Sequence, residues 1–300
     1  MNLRQLLVII NPAQTSQPAL KRATCLARVT GAAIELFLCE YNSALEHSLL
    51  FDADTLANAR NGLLTKLLED LENMAQPLRE QGLPVTVQVR WGKHNEDVIV
   101  QRVNELQPDI VFTSAHHHSP LKRWIFTNSC WQLLRHCPAP LWLVQHGEWQ
   151  GRSICAALDP LHSADKPASL DLQLIATAKQ LSKVLEVPAQ YLHSYPPLPP
   201  SLMFDSQLVN DYEHYNQVCG EQHRHTFEQL LQSADVPLSS SVLREGFAEE
   251  VLPLFVQEQS IDLLLMGAIS RGHIASALLG NTAERVLEAV DCDVLVLKPQ

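Results

Sequence analysis

A chain of 300 residues, 46% of them hydrophobic and 18% charged, has the composition of a globular protein and the length of two domains of about 150 residues each. Its formal net charge of −11 argues against nucleic-acid partners, which require clustered Lys and Arg. No apolar run approaches the ~18 residues of a membrane span, so no membrane partner is expected.

In chain order, the apolar runs LLVIIN (6–11), AIELFLCEY (33–41), VTVQVRW (85–91), DIVFTSA (109–115) and PLWLVQ (140–145) read as strands. Their continuity, without alternation, is that of strands covered on both faces. Between them lie helical patterns at 19–31, 63–78, 96–106 and 129–137. In the second of these, Leu64, Leu67, Leu68, Leu71 and Ala75 recur at helical spacing. The run at 170–187 opens the same alternation again.

That recurrence is a duplication. RQLLVIINP (4–12) matches RSICAALDP (152–160), with Asn11 opposite Asp159. RWGKHNEDVI (90–99) matches REGFAEEVL (244–252), with Gly92 opposite Gly246. PDIVFTSAHHH (108–118) matches IDLLLMGAISR (261–271), and APLWLVQ (139–145) meets CDVLVLKP (292–299). Near-constant offsets across separated landmarks mark a repeat. The expected domains are 1–147 and 148–300, each a doubly wound parallel sheet of five strands with about four helices. Such sheets bind ligands beyond the carboxyl ends of their strands.

The segment GAISRGHIASALLGNTAERVL (267–287) falls at such an edge. Gly267 ends a strand pattern and Gly280-Asn281-Thr282 opens a helix, with Asn281 and Glu284 spaced as a capping pair. A helix N-terminus binds phosphate without any Lys, although a glycine at a strand end and an asparagine at a helix start are also ordinary punctuation.

The segment resembles the nucleotide-binding loop of the universal stress protein family, Gly-x2-Gly-x9-Gly-(Ser/Thr) between the fourth strand and the last helix. Gly267 matches its first glycine and Gly280 its third, while Ser270 stands at the second and Asn281 at the Ser/Thr. Asp159 matches the aspartate that ends the family's first strand. The resemblance covers the whole chain twice and is closest to tandem-domain members. It implies an adenine nucleotide alpha hydrolase-like fold, two domains pairing within the chain through their last strands, and a homodimer as a further option. It also implies ATP or a nucleotide as the ligand of the second domain, held by Asp159, Gly267, Ser270, Arg271, Gly280, Asn281 and Thr282. In the first domain Ser114, His117, Thr127 and Asn11 occupy the matching positions, so family-type ATP binding is not expected there.

His116 and His118 alternate after the fourth strand at a spacing open to two metal ligands, with His94 and Asp97 as further donors; loop histidines in solvent are the alternative. Seven cysteines without zinc-type pairs point to reduced thiols in a cytoplasm. Cys130 sits just inside a helix start but reads as buried and inert, and Cys39, Cys155 and Cys292 as core. Trp124, Phe126 and Trp131 are read as packing residues. The proline-rich stretch 194–212 is a lid, a contact surface or an excursion. No nucleophile elbow, Walker loop or catalytic carboxylate arrangement is visible. The expectation is a stress-response protein that binds a small ligand without catalysis; a weak ATPase and a ligand-free interaction scaffold are the rival readings.

Overall fold

The computed structural model describes residues 3–46, 51–115, 128–145, 149–161, 169–199, 212–268 and 280–299. The chain forms two compact units that divide near residue 149. The first runs β1 (Gln5–Ile9), α1 (Pro18–Thr30), β2 (Ala33–Glu40), α2 (Ala53–Glu80), β3 (Val85–Trp91), α3 (Asn95–Leu106), β4 (Ile110–Ser114), α4 (Asn128–His136) and β5 (Leu141–Val144). Its strands lie in the order β3-β2-β1-β4-β5, every neighbouring pair parallel. The second runs β6 (Ile154–Leu158), α5 (Ser169–Leu185), β7 (Ala189–Tyr195), α6 (Tyr212–Ser233), β8 (Ser241–Glu245), α7 (Ala248–Glu258), β9 (Leu263–Gly267), α8 (Asn281–Ala289) and β10 (Asp293–Leu297). Its order is β8-β7-β6-β9-β10, again parallel throughout. The expected doubly wound architecture is therefore present twice.

The continuous apolar runs are buried on both faces, as in β4 and β10, where every residue is buried. In the first unit Phe112 stacks on Trp142 at a centroid distance of 5.1 Å. The landmarks of the repeat carry the same bonds in each unit. The Asp109 carboxylate accepts from the amides of Arg4 and Gln5 at 2.6 and 2.9 Å, and the Asp262 carboxylate accepts from the Arg152 amide. Each aspartate thus fixes the start of its unit's central strand. Gly92 and Gly246 follow β3 and β8, and a Cβ at either would lie 2.3 or 2.6 Å from a valine methyl, of Val98 or Val251. Close approach of the next helix, not chance, keeps glycine at both.

In each unit the strand order reverses beside its central strand, between β1 and β4 and between β6 and β9. Such a reversal, where crossovers leave on opposite faces, is the place at which open sheets form a ligand crevice beyond the strand ends.

Candidate functional site

In the second unit that crevice is a cleft of about 960 Å³. Asp159, directly after β6, lines it, as do Gly267 at the end of β9 and Gly280, Asn281 and Thr282 at the start of α8. Five of the seven residues expected at the site are thus brought together. Ser270 and Arg271 lie outside the described residues, as do His116 and His118.

Gly267 is glycine for lack of space. A Cβ there would lie 2.5 Å from Cδ2 of Leu170, which comes from the start of α5 and also lines the cleft. The matching Ser114 of the first unit is buried, and its hydroxyl accepts from the Ala19 amide of α1 at 3.3 Å. The same position is filled from the strand in one unit and from the helix in the other.

The strand-end residues differ as well. The Asp159 amide donates to the buried Asp171 carboxylate of α5 at 3.1 Å, and the Asp159 residue is exposed toward the cleft. In the first unit the Asn11 side chain turns back on its own loop and accepts from the Ala13 amide at 2.9 Å. Gln17 of that unit donates to the Asn11 carbonyl at 2.7 Å.

The capping pair expected at 281 and 284 is not formed. Gly280 is the N-cap, at φ −70° and ψ 143°, with no side-chain cap, and Asn281 is the first helical residue. Gly280 has no side chain with which to cap the helix, so the first turn of α8 faces the cleft with the positive end of the helix dipole.

The cleft floor is apolar: Leu158, Leu174, Leu192, Met266 and Val286 all line it. Three carboxylates, Asp159, Asp171 and Glu249, are the charged groups among its described lining residues. Pro196, the first proline of the proline-rich stretch, lines the cleft. Leu198 of that stretch is tied to α6, where the Tyr212 hydroxyl donates to its carbonyl at 2.6 Å.

His223 of α6 also lines the cleft, and behind it His193 is buried in β7. Neither stood out in the sequence. His193 Nδ1 lies 2.9 Å from the Leu158 carbonyl oxygen, and its Nε2 lies 2.8 Å from His223 Nδ1. Burial lowers the pKa of both rings, and the Asp159 charge partly opposes it. The signal that would have found His193 is in the repeat: it pairs with Leu158, and carrying the β1–β2 register one step further places Leu38 at the matching point of the first unit. A histidine thus stands in the second unit where the strand register of the first places a leucine.

Of the other candidates, His94 stands at the N-cap position of α3 without a side-chain cap bond, and Asp97 lies in the first turn. Among the described residues no group of three His, Cys, Asp or Glu could hold a metal ion. Cys39, Cys130, Cys155 and Cys292 are buried, as expected.

A profile of the universal stress protein family matches residues 2–145 and again 154–298. This chain belongs to that family. As a tandem universal stress protein, it is 30% identical over 301 residues to universal stress protein E of Photorhabdus laumondii, across 99% of this chain and 96% of that one. It is equally 30% identical to universal stress protein E of Escherichia coli K12, across 99% and 94%. A Pseudomonas aeruginosa structure described as a universal stress protein superposes with a TM-score of 0.76 at 26% identity, covering 99% of this chain and 94% of that one. One from Archaeoglobus fulgidus, at 15% identity and a TM-score of 0.64, shares the fold. No helix among the described residues is long and apolar enough to cross a membrane.

Proposed function

We propose that this universal stress protein holds one small molecule in the cleft of its second unit, and performs no chemistry on it. The observation that carries the reading is the convergence of Asp159, Gly267, Gly280, Asn281 and Thr282 on one apolar-floored cleft at the strand-order reversal. The leucine-rich floor suits a flat aromatic or other apolar body, and the start of α8, with glycine at its N-cap, suits an anionic or hydrogen-bond-accepting end. An adenine nucleotide has both, which makes ATP the first ligand to test. The first unit lacks the glycines, and its Asn11 side chain is engaged within its own loop, so one site per chain is the expectation. With every cysteine a free thiol, the cytoplasm is the compartment that suits the protein.

The test is mass spectrometry of the small molecules released when the full chain, purified from cells, is denatured. About one equivalent of a single compound, lost in Asp159→Ala, supports the reading. A chain that releases nothing and shows no thermal shift with ATP would overturn it in favour of a ligand-free scaffold.

A further inference from the structure

The His193–His223 pair does work that the fold does not require. At the matching point of the first unit the same frame takes Leu38, which is buried. A histidine with 1% of its surface exposed is costly in a strand unless both ring nitrogens are bonded, and here both are.

The bonds fix where the hydrogens lie. The Leu158 carbonyl can only accept, so the His193 Nδ1 at 2.9 Å from it carries a hydrogen. Burial favours the neutral form of His193, and in that form its Nε2 carries a lone pair. His223 Nδ1, 2.8 Å away, must then be the donor. A neutral His223 therefore has its one hydrogen on Nδ1 and a lone pair on Nε2. No hydrogen bond to that Nε2 is formed among the described residues.

The ring is held in place. Tyr195 stacks on His223 at 4.7 Å with an interplanar angle of 17°, and Phe227 packs on His193 at 5.6 Å. Gly220, one turn before His223, leaves room for Tyr195: a Cβ there would lie 2.8 Å from the Tyr195 hydroxyl. Among the described residues, the titratable and charged groups around the pair are His193 and Tyr195 of β7, Asp159 after β6, Arg224 and Cys219 of α6, and Glu245 of β8.

We propose that His223 is a specificity-determining residue of the cleft, its Nε2 accepting an N–H or O–H from the ligand while His193 holds it in the tautomer that can do so. This rests on the cleft being a ligand site. By sheet order the histidines stand on the β7 side of β6 and α8 follows β9 on the other side, so a ligand meets an acceptor at one end and backbone donors at the other. Asp159 near His223 favours a neutral or cationic donor group at this end. Protonation of Nε2 removes the acceptor and adds a charge, so a donor ligand is released as the pH falls. A ligand presenting an anion or acceptor to His223 would bind better instead.

The experiment uses the full chain and adenosine, an uncharged probe with amino and hydroxyl donors. Two-bond ¹H–¹⁵N spectra of histidine-labelled protein, assigned with His193→Leu and His223→Gln, should show both rings protonated on Nδ1 at about pH 8. Calorimetry should show adenosine binding weakened about tenfold or more between about pH 8 and about pH 5. His223→Phe should lose a similar factor at pH 8, and His223→Gln, whose carbonyl still accepts, should retain binding without the pH dependence. A hydrogen on His223 Nε2, or adenosine affinity indifferent to pH and to His223→Phe, overturns the proposal while leaving the small-ligand reading intact. Absence of adenosine binding at either pH overturns the donor-group assignment, and the released-ligand measurement then decides the wider reading separately.

Discussion

At the scale of single residues, the two units differ most where one side chain has traded places with another. Leu170 occupies in the second unit the room that Ser114 fills from the strand in the first, and Gly267 is the consequence. Exchanging the strand residue alone should fail: Gly267→Ser is expected to destabilise the second unit by about 1–3 kcal/mol, as overpacking does. Leu170→Ala makes room, so Gly267→Ser should cost much less in that background. A double-mutant cycle on urea midpoints reads the coupling, and strictly additive effects would refute the account. The buried histidines give a second expectation, one of pH. Burial lowers both folded-state pKa values, so between the ordinary histidine value and the folded ones the unfolded chain binds more protons. Stability contributed by the pair is thus complete above about pH 6.5 and falls as the pH drops through the window below it. Replacing His193 with leucine, the residue the first unit uses, should flatten the decline of the urea midpoint between about pH 6.5 and about pH 5. An unchanged slope would mean that the acid sensitivity comes from elsewhere.

At the scale of elements, strands and helices were legible because burial on both faces writes a strand as an unbroken apolar run, and β1, β4, β5 and β9 carry almost nothing else. The edge elements were less so. Strand β8 has no buried residue, and α6 buries only Phe227 and Leu231 among its described side chains, so neither has a strong apolar signature. Polar partnerships were illegible altogether, because they join residues far apart in sequence. Glu35 of β2 is buried and receives a two-pronged bond from Arg102 of α3, at 2.7 and 2.6 Å, 67 residues away. Nothing in either local pattern announces it. The side chains of Glu35 and Arg102 are 5% and 18% exposed, so the pair ties helix to sheet inside the fold. Arg102→Ala strands a buried carboxylate and is expected to cost about 3–5 kcal/mol, whereas the double change Glu35→Leu, Arg102→Met should recover most of that loss. Thermal unfolding of the three proteins distinguishes this from a pair that contributes through charge alone. At the site, the same logic holds: Asp159, Gly267 and Gly280 were found because they sit at element ends, and His193 and His223 were missed because their meaning lies in each other.

At the scale of the whole molecule, the seven cysteines report on how each unit protects its core. Cys25 is exposed and Cys219 half-buried, while Cys39, Cys130, Cys137, Cys155 and Cys292 are buried. Burial also pushes the thiol of Cys39 up to about 11 and that of Cys155 up to about 12, and it raises that of Cys292. The reactive species is the thiolate, so burial suppresses reaction twice, by excluding the reagent and by holding the proton. In the native protein, a thiol reagent at about pH 8 should therefore label Cys25 quickly and Cys219 more slowly, leaving five thiols that react only when the chain opens. Those five separate the units, since Cys39, Cys130 and Cys137 lie in the first and Cys155 and Cys292 in the second. A ligand that binds only the folded second unit stabilises it by about 2.7 kcal/mol when present at about a hundred times its Kd. Whatever compound mass spectrometry identifies should then slow labelling of Cys155 and Cys292 by up to about a hundredfold, and slow Cys137 less. Equal protection of Cys137 would show that the two units open as one, and protection of Cys137 alone would move the ligand to the first.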